Sequence, residues 1–148
     1  MPEEYSGIAT EELNQANTEF YRAFERLSVE EMGKLWRHDE NVICIHPGWD
    51  LFTGWLAVRE SWATIFGNTE MIRFTITNTK VKVFDKKVGV VACVENIETT
   101  DPSNGMVIRM GAIATNVFEK NETSHQWLLI HHHGSPVTNY MPPNMFSQ

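Results

Sequence analysis

Only two cysteines, Cys44 and Cys93, occur in 148 residues, and both lie in apolar, strand-like stretches. That is too few for a disulfide framework, so they read as reduced core thiols of a cytoplasmic protein. Basic clusters are missing too: 12 lysines and arginines stand against 19 acidic residues, a formal net charge of −7. A nucleic-acid binder needs a basic stripe to neutralise phosphates, and an anionic membrane surface would repel this chain. No apolar run approaches the roughly 18 residues of a membrane span. The opening MPEEYSGIAT has neither a basic start nor an apolar core, so no secretory leader is expected. There is no Gly-rich phosphate loop, no GxSxG elbow and no basic neighbour to either cysteine. These absences disfavour nucleotide chemistry and covalent nucleophiles. Without repeats, low-complexity stretches or linkers, the expectation is one domain over 1–148, with 1–9 and 138–148 as tails.

What is present is helices first, then a sheet. Thr10 followed by Glu11 and Glu12 reads as an N-cap with acids in the first turn. Leu13, Ala16, Phe20, Phe24 and Leu27 then recur at three- and four-residue steps, one buried helical face. Ser28-Val29-Glu30-Glu31 is a capping box that restarts the chain as a short helix to about Trp36. Val42–Ile45 is a short apolar strand closed by His46-Pro47-Gly48. A third helix after Thr53 carries Trp55, Val58, Trp62, Ile65 and Phe66 at helical spacing and ends at Gly67. Long β runs follow at about 72–84, 88–98, 106–119 and 126–135, with a tight turn at Asp85-Lys86-Lys87. Three helices before four sequential strands imply α+β with an antiparallel meander. A sheet that long curls, and helices across its concave side leave a cone whose wide end is a pocket.

Three stretches carry a resemblance: Val42-Ile43-Cys44-Ile45-His46-Pro47-Gly48, Ala114-Thr115-Asn116-Val117-Phe118, and the run from Trp127 to Pro136 with its three histidines. Over about Thr10–Val137 the chain resembles the NTF2-like superfamily, which includes ketosteroid isomerase, scytalone dehydratase and the SnoaL cyclases, and within it the SnoaL-like (DUF4440-type) proteins. The last stretch is also similar to the final strand of the calcium/calmodulin-dependent protein kinase II association domain. The resemblance implies the NTF2-like cone, a curved antiparallel sheet closed by three N-terminal helices. It does not by itself imply an activity, because this fold carries enzymes, binders and assembly modules. The kinase domain lines its pocket with arginines, and Glu95, Asn116 and Gly134 stand at the matching positions, so the same anionic ligands are not expected.

Strand parity supplies the candidate site. Residues two apart share a face, which groups Val91, Cys93, Glu95 and Ile97, and on the next strand Met110, Ala112, Ala114, Asn116 and Phe118. Glu95 and Asn116 are each the lone polar member of an apolar row. A carboxyl there would have a raised pKa, suiting a general acid or base; the alternative is a solvated or lysine-paired carboxylate at a sheet edge. Among His131, His132 and His133, alternation separates His132 from the other two. Gly134 matches a pocket-facing position, so His132 is assigned to the pocket. His131 and His133 could hold a metal only with a third ligand from His46, Glu95 or Asp39, and neither metal nor cofactor is expected. His46 either caps its Pro-Gly turn or serves as a base at the pocket rim. Trp36 and Trp62 either line the pocket or pack in the core. The candidate set is therefore Glu95, His132 and His46 for catalysis, with Asn116, Trp36, Trp62, His131 and His133 for ligand contact. Tyr5, Tyr21 and Tyr140 lie off the strands, so no pocket tyrosine is expected.

Two functions fit. One is a small-molecule-binding protein, a cofactor-free isomerase, cyclase or dehydratase working by acid/base chemistry on a small hydrophobic or polar-aromatic ligand. The other is a non-catalytic dimerisation module. Trp127, Leu129, His131 and His133 share a face by parity, and if that face is convex it is half-apolar and suits a sheet-to-sheet homodimer.

Overall fold

Leu13, Asn17, Phe20, Tyr21 and Phe24 follow one another at steps of four, three, one and three, and all are buried along helix α1 (Pro2–Arg26). The computed structural model describes the backbone of residues 2–143 and the side chains of residues 7–143. The first helix begins well before Thr10, so that residue lies inside α1 and caps nothing, and residues 2–9 are helix rather than tail. Residues 144–148 of the expected C-terminal tail lie outside the described residues. α1 ends where Leu27 takes a left-handed φ of 55°. Ser28 then caps α2 (Val29–Gly33) by accepting from the Glu31 N–H at 3.1 Å. After α2 come β1 (Ile43–Ile45), β2 (Leu51–Thr53) and α3 (Trp55–Gly67).

The long strands are β3 (Ile72–Phe84), β4 (Val88–Thr100), β5 (Val107–Lys120) and β6 (Trp127–Pro136), and they pair antiparallel in sequence order. The whole curved sheet runs β2-β1-β6-β5-β4-β3. Two features depart from a simple meander. β1 lies parallel to β6, with Cys44 opposite His132, and β2, too short to show periodicity, pairs with β1. α1 crosses the concave face and is tied near its middle and at its C-terminal end. The Trp127 indole N–H donates to Glu12 Oε1 (2.9 Å), and the Phe74 amide donates to Glu25 Oε2 (2.8 Å).

A bulge in β6 corrects the parity reading. Val117 is opposite His131, but Phe118 is opposite Leu129, so Ile130 is an extra residue and the faces swap there. Trp127 and Leu129 turn inward and are buried with His132 and Gly134, whereas His131 and His133 point to the convex side. The proposed single row of Trp127, Leu129, His131 and His133 therefore does not exist. No helix among the described residues is long and apolar enough to cross a membrane.

Candidate functional site

Inside the cone the inward parity of three strands meets the buried stripe of α1. β4 contributes Cys93 and Glu95, β5 contributes Asn116, β6 contributes His132, and α1 contributes Asn17 and Tyr21; all are buried. Isolated polar groups in such a place would each cost on the order of 1–3 kcal/mol, and here they satisfy one another. The Tyr21 hydroxyl donates to Glu95 Oε2 at 2.6 Å. Asn116 Nδ2 donates to Asn17 Oδ1 (2.9 Å) and to the Tyr21 oxygen (3.2 Å). That fixes the amide orientation, so Asn116 Oδ1 must accept from His132 Nδ1–H, at 2.5 Å. The result is one directed chain from His132 through Asn116 and Tyr21 to Glu95. Its surroundings are rings: Phe20 and Trp62 have centroids 5.0 and 5.9 Å from His132.

Burial sets the charges. It raises the Glu95 pKa to about 7, against the opposing pull of the Tyr21 hydrogen bond, so this carboxyl exchanges its proton near neutrality. Burial, and then the nearby Glu95 charge, pushes the Tyr21 phenol well up, which keeps it a donor. His132 is driven well below its ordinary value by burial, with smaller contributions from the other histidines. His46 falls to about 4 for the same primary reason. Both imidazoles are neutral at pH 7, and the interior pairs one half-titrated acid with neutral hydrogen-bonding partners.

His46 is 2 % exposed, away from any rim; its carbonyl closes the Pro47-Gly48 turn by accepting from the Trp49 N–H at 2.9 Å, while its imidazole is buried. Ser61 Oγ donates to the Val58 carbonyl (2.7 Å), so it accepts from His46 Nε2–H at 2.9 Å. The His46 and His132 ring centroids are 6.2 Å apart, with no hydrogen bond between the two. Trp36 and Trp62 are 2 % and 0 % exposed and pack in the core rather than lining an opening. Neither indole N–H finds an acceptor. His131 and His133, expected as ligand contacts, face away from this cluster. Among the described residues, no group of three or more His, Cys, Asp or Glu could hold a metal ion, so His46, Glu95 and Asp39 do not complete a site with His131 and His133.

A cleft of about 280 Å³ reaches this chain from outside, between α1 and β3. Its walls are Asn14, Asn17, Thr18, Tyr21, Phe74, Ile76 and Thr79, none of them charged. Tyr21 is thus shared by the cleft and the interior, with Glu95 directly behind it. Tyr21 overturns the expectation that no tyrosine faces the pocket, and Asn17 and Ser61 were not anticipated from the sequence. The available signal was their helical spacing: Asn17 and Tyr21 sit at i+4 and i+8 from Leu13, inside its apolar stripe.

A SnoaL-like domain model matches residues 13–139. The chain belongs to the SnoaL-like domain family. It is similar to a candidate dehydratase of the NTF2-like family from Streptomyces avermitilis, with 34% identity and a TM-score of 0.81, covering 89% of this chain and 98% of that one. A candidate calcium/calmodulin-dependent protein kinase type II association domain from Thiobacillus denitrificans is 28% identical, with a TM-score of 0.71, over 83% of this chain and 93% of that one. The F-box protein SKIP8 of Arabidopsis thaliana is 26% identical over 126 residues, 85% of this chain. This SnoaL-like chain spans about half the length of that plant protein, 50%.

Proposed function

We propose that this SnoaL-like protein is a cofactor-free enzyme that moves protons on a small, neutral, largely apolar substrate entering beside Tyr21. The observation that carries the reading is Tyr21, a residue that lines the cleft and whose buried hydroxyl donates to Glu95, a carboxyl with a pKa of about 7. In the forward step the Tyr21 oxygen takes a proton from an acidic carbon of the substrate while its own proton passes to Glu95. The C–H electrons stay on the substrate as an enolate, and the carboxyl becomes neutral. The reverse transfer, to another carbon or to a departing hydroxyl, gives isomerisation or loss of water. Asn116, held by His132, donates to the Tyr21 oxygen and steadies it while it exchanges protons. His132 is thus a positioning residue, and neutral His46 orients Ser61 rather than taking protons. The absence of charge on the cleft walls supports a neutral ligand, and the likeness to the Streptomyces candidate dehydratase supports this class of chemistry.

Deuterium exchange into the α-positions of 2-tetralone, an enolisable aromatic ketone, tests the reading in D₂O by loss of the proton NMR signal. The expected result is catalysed exchange that falls on the order of 10²-fold in Tyr21→Phe. Equal rates for the two proteins above the buffer background would overturn it.

A second reading has its own support. The convex face carries Val90, Val94, Ile113 and Val117 beside His131 and His133, and Ile113 is 54 % exposed. Apolar side chains on an open sheet face favour a partner, and the likeness to the Thiobacillus association-domain protein points the same way. We therefore propose a homodimer through the convex sheet, which is compatible with either function. Light scattering is expected to give twice the 17.0 kDa chain mass, with Ile113→Lys returning it to the single-chain value. A wild-type monomer at micromolar concentration would contradict the dimer. The two free, buried thiols suit a cytoplasmic setting.

A further inference from the structure

A second groove, larger than the Tyr21 cleft, shares no residue with it. It runs between the middle of α1 and the β5–β6 turn and has a volume of about 460 Å³. That lies within the roughly 300–1,000 Å³ typical of small-molecule sites. Its floor is apolar, built from Ala16, Leu35, Phe118 and the Trp127 indole. Its rim on α1 carries three carboxylates, Glu11, Glu12 and Glu19. The indole is fixed in place, because its N–H donates to Glu12 at 2.9 Å.

The protein itself displays what this combination attracts. Lys120 Nζ lies 5.6 Å from the centroid of the Trp127 ring and 3.7 Å from Glu12 Oε1. An ammonium beside an indole and a carboxylate gains both a cation–π contact and an ion pair. Beyond Lys120, the groove carries Glu11 and also Glu19, which accepts from Gln15 Nε2 at 3.1 Å and lies 4.0 Å from Arg22 Nη1, beside the apolar floor. We propose that this groove binds a small organic ammonium ion with an aromatic or aliphatic body, at a site separate from the acid/base chain. The body lies on Phe118, Leu35 and Trp127, and the charged head sits among the carboxylates of α1.

Phenethylammonium and its anionic counterpart 3-phenylpropionate are matched probes. Each is titrated into the ¹⁵N-labelled chain while the indole N–H signals are followed, with Trp127→Phe assigning the relevant one. The expected result is that phenethylammonium moves the Trp127 signal and leaves that of Trp62 in place, and that 3-phenylpropionate does neither. The double variant Glu12→Gln, Glu19→Gln keeps the acceptor for Trp127 and alters only rim positions, so it retains the fold. It should weaken phenethylammonium binding about fivefold, and raising salt to about 1 M should weaken it further. Equal binding of the anion, a response at Trp62 instead, an undiminished affinity in the double variant, or no binding at millimolar concentrations would each overturn the proposal.

Discussion

Glu95→Gln is expected to abolish proton transfer, by 10²–10⁴-fold, while leaving a folded protein whose stability no longer falls at high pH. The substitution keeps the shape and an acceptor for Tyr21 and removes only the titrating oxygen. The sign of the stability effect follows from the folded-state pKa of about 7, above a carboxyl's ordinary 4.5. Below pH 4.5 the folded and unfolded chains both hold this proton. Between 4.5 and 7 the unfolded chain releases it while the folded chain retains it, so stability falls as pH rises, by about 3 kcal/mol in total. Glu95→Gln should therefore be more stable than the wild type by up to about 3 kcal/mol at pH 8, with the gap closing by pH 4.5. The histidines act in the opposite sense. His46 titrates near 4 rather than 6.5, so below pH 6.5 the unfolded chain takes up a proton that the folded chain refuses, and His132 adds to this. In the wild type these slopes oppose that of Glu95 over the mildly acidic range, and the variant exposes them as a steeper acid destabilisation. Denaturant titrations at pH 4.5, 6 and 8 check both statements. A wild-type-like pH profile in the variant would mean that Glu95 is not raised.

Trp62→Ala should be among the most damaging single truncations, costing about 3–5 kcal/mol. Trp62 is fully buried, with its ring centroid 4.6 Å from His46, 4.9 Å from Phe24, 5.5 Å from Phe66 and 5.8 Å from Phe20. Removing it opens a void under α1, α3 and β1 together. Trp62→Phe separates packing from polarity. The indole N–H has no acceptor, so exchanging it for a hydrocarbon edge removes an unsatisfied donor and leaves a smaller void. That variant should cost under about 2 kcal/mol. Chemical denaturation of both variants checks the pair; equal losses would mean that the indole N–H is satisfied in solution.

The helices, the four long strands and the inward face of β4 and β5 were legible because periodicity there runs unbroken for many residues. Glu95 and Asn116 could be placed for that reason, each the odd polar member of an apolar row. Parity failed in β6, where the extra Ile130 swaps the faces of Trp127 and Leu129 relative to His131 and His133. His132 does face inward, as counted from Gly134 on its own side of the bulge, but it is fully buried and lines none of the clefts described above. Gly134 faces inward against Pro47, whose Cγ would lie 2.9 Å from any added Cβ. β2 was invisible: three residues with one half-buried member carry no period. Tyr21 was missed for a different reason. A hydroxyl on a helix face reads as surface until a second element supplies a partner, and that partner, Glu95, lies 74 residues away in sequence. The same holds for Ser61, whose partner His46 sits on the loop after β1.

Glu95 titrates near neutrality behind a Tyr21 hydroxyl that favours its charged form. The most direct measurement is a ¹³C NMR titration of the glutamate side-chain carboxyls, with Glu95→Gln identifying the signal and Tyr21→Phe probing the hydrogen bond. The midpoint is expected near pH 7 in the wild type and moved upward in Tyr21→Phe, because the carboxylate loses its donor. A midpoint near the ordinary 4.5, unmoved by Tyr21→Phe, would contradict this.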